Sequence, residues 1–90
     1  MKKQVRVVYK GTVQGVGFRF TAEHIANELG VTGWVKNLVS GDVEIVGEQD
    51  EEVLKDFIGK VNKYFSRYIK DVNIEWGKYT GKFTAFGISF

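Results

Sequence analysis

Apolar residues in this chain recur at two spacings, and the order in which the spacings alternate restricts the fold more than any single motif. Val5, Val7 and Tyr9 alternate with neighbours on the other side, as in a strand covered on at least one face. Ala22, Ile25, Ala26 and Leu29 then make one stripe of an amphipathic helix, with Gly30 placed to cap its C-terminus. Residues 31–39 return to a strand period, with Gly33, Val35 and Asn37 on one side and Trp34, Lys36 and Leu38 on the other. Ser40–Gly41 reads as a two-residue hairpin turn into a third strand over 42–48, which sets Val43 and Ile45 against Asp42, Glu44 and Val46. Asp50 suits the N-cap of a second helix, with Glu51 and Glu52 at the favourable end of its dipole. Val53, Leu54, Phe57, Ile58, Val61 and Phe65 give that helix its apolar face. Val72, Ile74 and Trp76 mark a fourth strand, and Phe86, Ile88 and Phe90 one face of a short last strand over 83–90.

This order, β-α-β-β-α-β plus a terminal strand, predicts an α+β fold of the ferredoxin-like, split βαβ kind, with two helices on one face of an antiparallel sheet. Right-handed crossovers make strands one and two parallel with strand three between them. Their C-terminal ends then share a sheet edge, roughly 10 Å apart. A side chain near the end of strand two, such as Asn37, can therefore face whatever the turn after strand one holds.

That turn reads GTVQGVGFR, from Gly11 to Arg19. Gly15 and Gly17 let the backbone turn sharply and approach a ligand closely. Successive N–H groups in such a turn can converge into an anion-binding nest, and the following helix adds its own unpaired N–H groups. Arg19 supplies a planar fork of charged donors suited to phosphate or carboxylate. The same glycines could serve only to turn the chain, and a bare Gly-x-Gly is a weak signal.

The bounds set by the whole chain fit a small anionic ligand. Ninety residues with 43% hydrophobic and 27% charged content make a single domain, residues 1–90, with one core. The net charge of +2 falls short of a dedicated nucleic-acid binder. The chain has no cysteine, so thiol chemistry, disulfides and cysteine metal sites are excluded. No apolar run approaches a membrane span and Lys2–Lys3 precede no signal-peptide core, so a soluble, cytoplasmic protein is expected. Nothing demands more than a monomer.

GTVQGVGFR, followed by GWVKNLVSGDVE over Gly33–Glu44, resembles the acylphosphatase family along the whole chain, with the specificity concentrated in residues 11–44. The resemblance implies a hydrolase that cleaves the carboxyl–phosphate anhydride of acyl phosphates without a metal or cofactor, with inorganic phosphate as a product. By position, Arg19 matches the family's phosphate-binding arginine and Asn37 its water-orienting asparagine. The backbone of Gln14, Gly15, Val16, Gly17 and Phe18 matches the phosphate cradle. Two departures stand out. Ser40 replaces a common Asp before the hairpin glycine, and Phe65 to Lys70 replace a frequent Gly-Pro before strand four.

Other chemistry-bearing residues have structural readings. His24 lies beside the apolar stripe of its helix and has no metal-ligand partners. Asp42 and Glu44 read as hairpin charges, and Lys60, Lys63 and Arg67 as the wet face of the second helix. Trp34 and Trp76 read as packing residues. An RNA-binding module of the same architecture would want exposed aromatics and a basic-Gly-aromatic run on strand three, which is acidic here. A regulatory anion-binding module, with the phosphate site but no turnover, is the remaining alternative.

Overall fold

A computed structural model describes residues 1–90. The elements are β1 (Lys2–Gly11), α1 (Phe18–Leu29), β2 (Thr32–Asn37), β3 (Val43–Asp50), α2 (Glu51–Tyr64), β4 (Ile69–Lys78) and β5 (Phe86–Ser89). They form a five-stranded sheet in the order β4-β1-β3-β2-β5. Because β3 pairs antiparallel with both β1 and β2, those two strands run parallel and finish at one edge, as the crossover rule requires.

One face of the sheet is covered. Val5, Val7 and Tyr9 of β1, Val35 of β2, and Val43 and Ile45 of β3 are completely buried. Ala22 and Ile25 of α1 pack over them, together with Leu54, Phe57, Ile58 and Val61 of α2. Each of these larger aliphatic or aromatic side chains contributes about 1.5–3 kcal/mol by leaving water, so the two stripes read from the sequence hold the helices down. Gly30 ends α1 in the left-handed conformation, and Val31 donates to the Ala26 carbonyl at 2.8 Å.

The sheet is mixed rather than wholly antiparallel, because β5 pairs parallel with β2. Residues 79–85 carry the chain from the β4 edge to the opposite edge, and there it resumes the direction of β2. This segment is pinned by Glu48, which sequence reading did not single out. Its buried carboxylate accepts from Gln4 Nε2 (2.8 Å), the Thr80 N–H (2.9 Å), the Thr80 hydroxyl (2.8 Å) and the Gly81 N–H (3.0 Å). Burial alone would push this carboxyl up, but the four hydrogen bonds outweigh desolvation and hold it below the usual carboxylate range.

Four local expectations give way. The hairpin after β2 is a three-residue loop, Val39–Gly41. Leu38 donates to the Asp42 carbonyl (2.8 Å) and Gly41 to the Leu38 carbonyl (3.0 Å), so the Leu38–Asp42 pair closes it. Asp50 occupies the N-cap of α2 but makes no side-chain cap bond. Its carboxylate faces the Met1 amino group at 3.5 Å, and the Met1 carbonyl accepts the Glu51 N–H instead. Arg67 lies beyond the end of α2, leaving Lys60 and Lys63 as the helical basic pair. Trp34 is half-buried, whereas Trp76 is 42% exposed because β4 is an edge strand that the helices scarcely reach.

Candidate active site

Between β1 and α1 the chain is shaped by Gly15 and Gly17, at φ 79° and 77°. This left-handed region is disfavoured for residues carrying a Cβ. Neither glycine has an atom within 4 Å of where a Cβ would stand, so conformation rather than crowding selects them. Gly17 precedes α1 and provides no side-chain cap. The Thr21 N–H donates to the Gly17 carbonyl at 3.1 Å, and none of the main-chain N–H groups from Gly15 to Phe20 donates within the protein. Consecutive unpaired donors at a helix N-terminus form an anion site with the positive end of the dipole behind it.

Side-chain packing fixes the start of this helix. Phe18 is buried, stacked on Phe65 with ring centroids 4.3 Å apart and tilted against Tyr9 at 5.0 Å. Desolvation raises the Tyr9 hydroxyl well above its usual range, so it stays neutral beneath the turn. With Phe18 turned inward, any contribution it makes to an anion comes from its main chain. Arg19 remains partly exposed and enters no ion pair or hydrogen bond within the protein. Its guanidinium lies 5.1 Å from the centroid of the Phe90 ring.

Asn37 is the last residue of β2, opposite Val43. Gln14 ties this end of the hairpin to the glycine turn: its Nε2 donates to the Leu38 carbonyl at 2.8 Å and to the Asp42 carbonyl at 2.9 Å. Gly15, Gly17, Phe18, Arg19 and Asn37 thereby line one depression of about 250 Å³, completed by Val13 and Phe20. Gln14 and Val16 do not line it; Gln14 holds the hairpin, and Val16 packs against the core. A larger hollow of about 420 Å³ beside Trp76 and Tyr79 offers lysines and rings on a sheet edge, far from this array of donors.

The sequence profile of the acylphosphatase family matches residues 5–88. The chain belongs to the acylphosphatase family. An acylphosphatase of Caldanaerobacter subterraneus subsp. tengcongensis is 41% identical over 98% of this chain and 99% of its own length. That of Bacillus licheniformis is 42% identical over 97% and 98% of the two chains. The crystal structure of acylphosphatase from Bacillus subtilis superimposes with a TM-score of 0.90 at 34% identity, covering both chains completely. These relatives are enzymes by name, and the RNA-binding and anion-sensing alternatives gain no support from them.

The residues set aside from the sequence lie apart from the depression. His24 is exposed and faces Glu28 at 3.7 Å. Asp42 pairs with Lys10 at 3.5 Å, and Glu44 with Arg6, which also reaches Glu75 at 3.4 Å. No three His, Cys, Asp or Glu side chains are grouped to hold a metal ion. Sequence reading missed the Gln14 tether and the placing of Phe20 and Phe90. The alternation of Phe86, Ile88 and Phe90 was the available signal for Phe90.

Proposed function

We propose that this chain, acting as one acylphosphatase-like domain over residues 1–90, hydrolyses acyl phosphates to carboxylate and inorganic phosphate without a metal or cofactor. The N–H groups from Gln14 to Phe18 and the Arg19 guanidinium hold the phosphoryl oxygens, and Asn37 orients the attacking water. The reading is supported by one observation above the rest: a cationic fork without a counter-ion and a free carboxamide line the same depression as the two left-handed glycines.

The chemistry asks little of the protein. Water oxygen bonds to phosphorus as the bond to the acyl oxygen breaks, and the electron pair leaves on a carboxylate, a weakly basic leaving group. A proton from the water passes to a phosphoryl oxygen, so no side-chain base is required. Charge spreading over the equatorial oxygens is met by preorganised N–H donors and the guanidinium, an arrangement able to supply several kcal/mol. Asn37 can donate to and accept from the water without titrating, which fixes its line of approach.

We further take the protein to work as a monomer in the cytoplasm, with acyl phosphate and phosphate as its ligands and no nucleic-acid or membrane partner. The charge of +2 suits a small anion, and no helix is long and apolar enough to cross a membrane. Hydrolysis of benzoyl phosphate by purified protein in EDTA tests the activity. Turnover with competitive inhibition by inorganic phosphate is expected; turnover only on addition of a metal contradicts the proposal.

A further inference from the structure

One large apolar side chain lines the depression and a second lies against its arginine, and the phosphate chemistry uses neither. Phe20 lines it and is 73% exposed; Phe90, whose ring lies over the Arg19 guanidinium, is 96% exposed. Neither position is a casual surface residue. The strand register pairs Lys36 of β2 with Ser89 of β5, so the next residues, Asn37 and Phe90, arrive together at the same sheet edge. Phe86, Ile88 and Phe90 alternate on the face shared with Val35 and Asn37, the face on which α1 lies. Phe20 follows Arg19 on the first turn of α1. The two rings therefore border the point at which a phosphate held by Arg19 must point its other substituent.

That substituent is the acyl group. An acyl phosphate gripped by its phosphoryl oxygens presents its carbonyl and tail outward, past Arg19. We propose that Phe20 and Phe90 form an aromatic rim that covers this tail and makes the enzyme select aryl and extended alkyl acyl phosphates over acetyl phosphate. This deepens the activity proposed above and rests on it. A methyl group offers almost no apolar area to cover, whereas a phenyl ring can lie against both side chains and gain area burial and offset stacking. No carboxylate enters an ion pair with Arg19, and its 5.1 Å cation–π contact with Phe90 uses none of the guanidinium's hydrogen-bond donors, which stay available for phosphate.

The test is the ratio of kcat/KM for benzoyl phosphate to that for acetyl phosphate, compared among the parent, Phe20→Ala, Phe90→Ala and Phe90→Leu. Taking the change in ratio cancels the different intrinsic reactivity of the two anhydrides. It also cancels partial unfolding and any loosening of Arg19, since the same molecules read both substrates. We expect the ratio to fall about five-fold in each alanine variant, the factor for one aromatic contact of this kind, and to recover partly in Phe90→Leu. A ratio equal to the parent's in both alanine variants overturns the rim, while the activity itself stands. A parent protein that hydrolyses neither substrate overturns the rim together with the function on which it rests.

Discussion

Replacing Glu48 gives the sharpest check on what holds the β5 strand, and with it Phe90, against the sheet. Four donors converge on its carboxylate: Gln4, both the N–H and hydroxyl of Thr80, and the Gly81 N–H, at 2.8–3.0 Å. A hydrogen bond to a charged group contributes about 1.5–3 kcal/mol. The sum is reduced because Glu48 pays for burial and because Thr80 and Gly81, both exposed, regain water when it is removed. We therefore expect Glu48→Ala to cost about 3 kcal/mol, or roughly 10–25 °C in Tm for a chain of this size. Glu48→Gln keeps the volume but turns an amide donor toward other donors, and should cost about 2 kcal/mol at neutral pH.

The pH dependence separates charge from shape. Folding holds this carboxyl below its ordinary value of 4.5, so the unfolded chain takes up a proton first as pH falls. The stabilisation is complete above that ordinary value and is lost as pH drops through the lower folded-state value. In urea titrations from pH 7 to pH 3, the gap between parent and Glu48→Gln should narrow towards the acid end. A gap that stays constant over that range would refute the claim that the carboxylate's charge, rather than its size, anchors residues 79–85.

The remaining predictions concern the site. Gln14→Ala removes both bonds to the hairpin carbonyls; it should lower stability by about 1–2 kcal/mol and lower kcat for benzoyl phosphate, measured by denaturation and steady-state kinetics. Gly17→Ala places a Cβ at φ 77° and should cost about 1–2 kcal/mol, with weaker phosphate inhibition as the turn relaxes. Arg19→Lys keeps the charge but loses the planar fork, and should cut kcat/KM by more than tenfold.

The two helical stripes and the alternation in β1 and β3 were legible because burial on one face imposes a period, and the place of β3 between parallel β1 and β2 followed from crossover handedness. The gathering of Gly15, Gly17, Arg19 and Asn37 around one depression was legible for a different reason: the first three are close in the chain, and topology alone carries Asn37 to the same edge. What escaped depends on pairings across the chain. Glu48 is an ordinary glutamate until Thr80 and Gly81 are folded over it. The side-chain tie of Gln14 exists only once its amide meets the Leu38 and Asp42 carbonyls, and the parallel setting of β5 depends on where residues 79–85 lead. The hairpin loop differs by one residue because Gly41, at φ 97°, closes a longer turn than Ser40–Gly41 alone suggests.

The division of labour between Arg19 and Asn37 is the central claim, and phosphate affinity measured beside turnover in Asn37→Ala addresses it most directly. The account predicts that inorganic phosphate binds this variant within about two-fold of the parent while kcat for benzoyl phosphate falls at least a hundredfold, the scale of losing a positioned reactant. Turnover near the parent rate, or loss of phosphate binding in step with kcat, would contradict it.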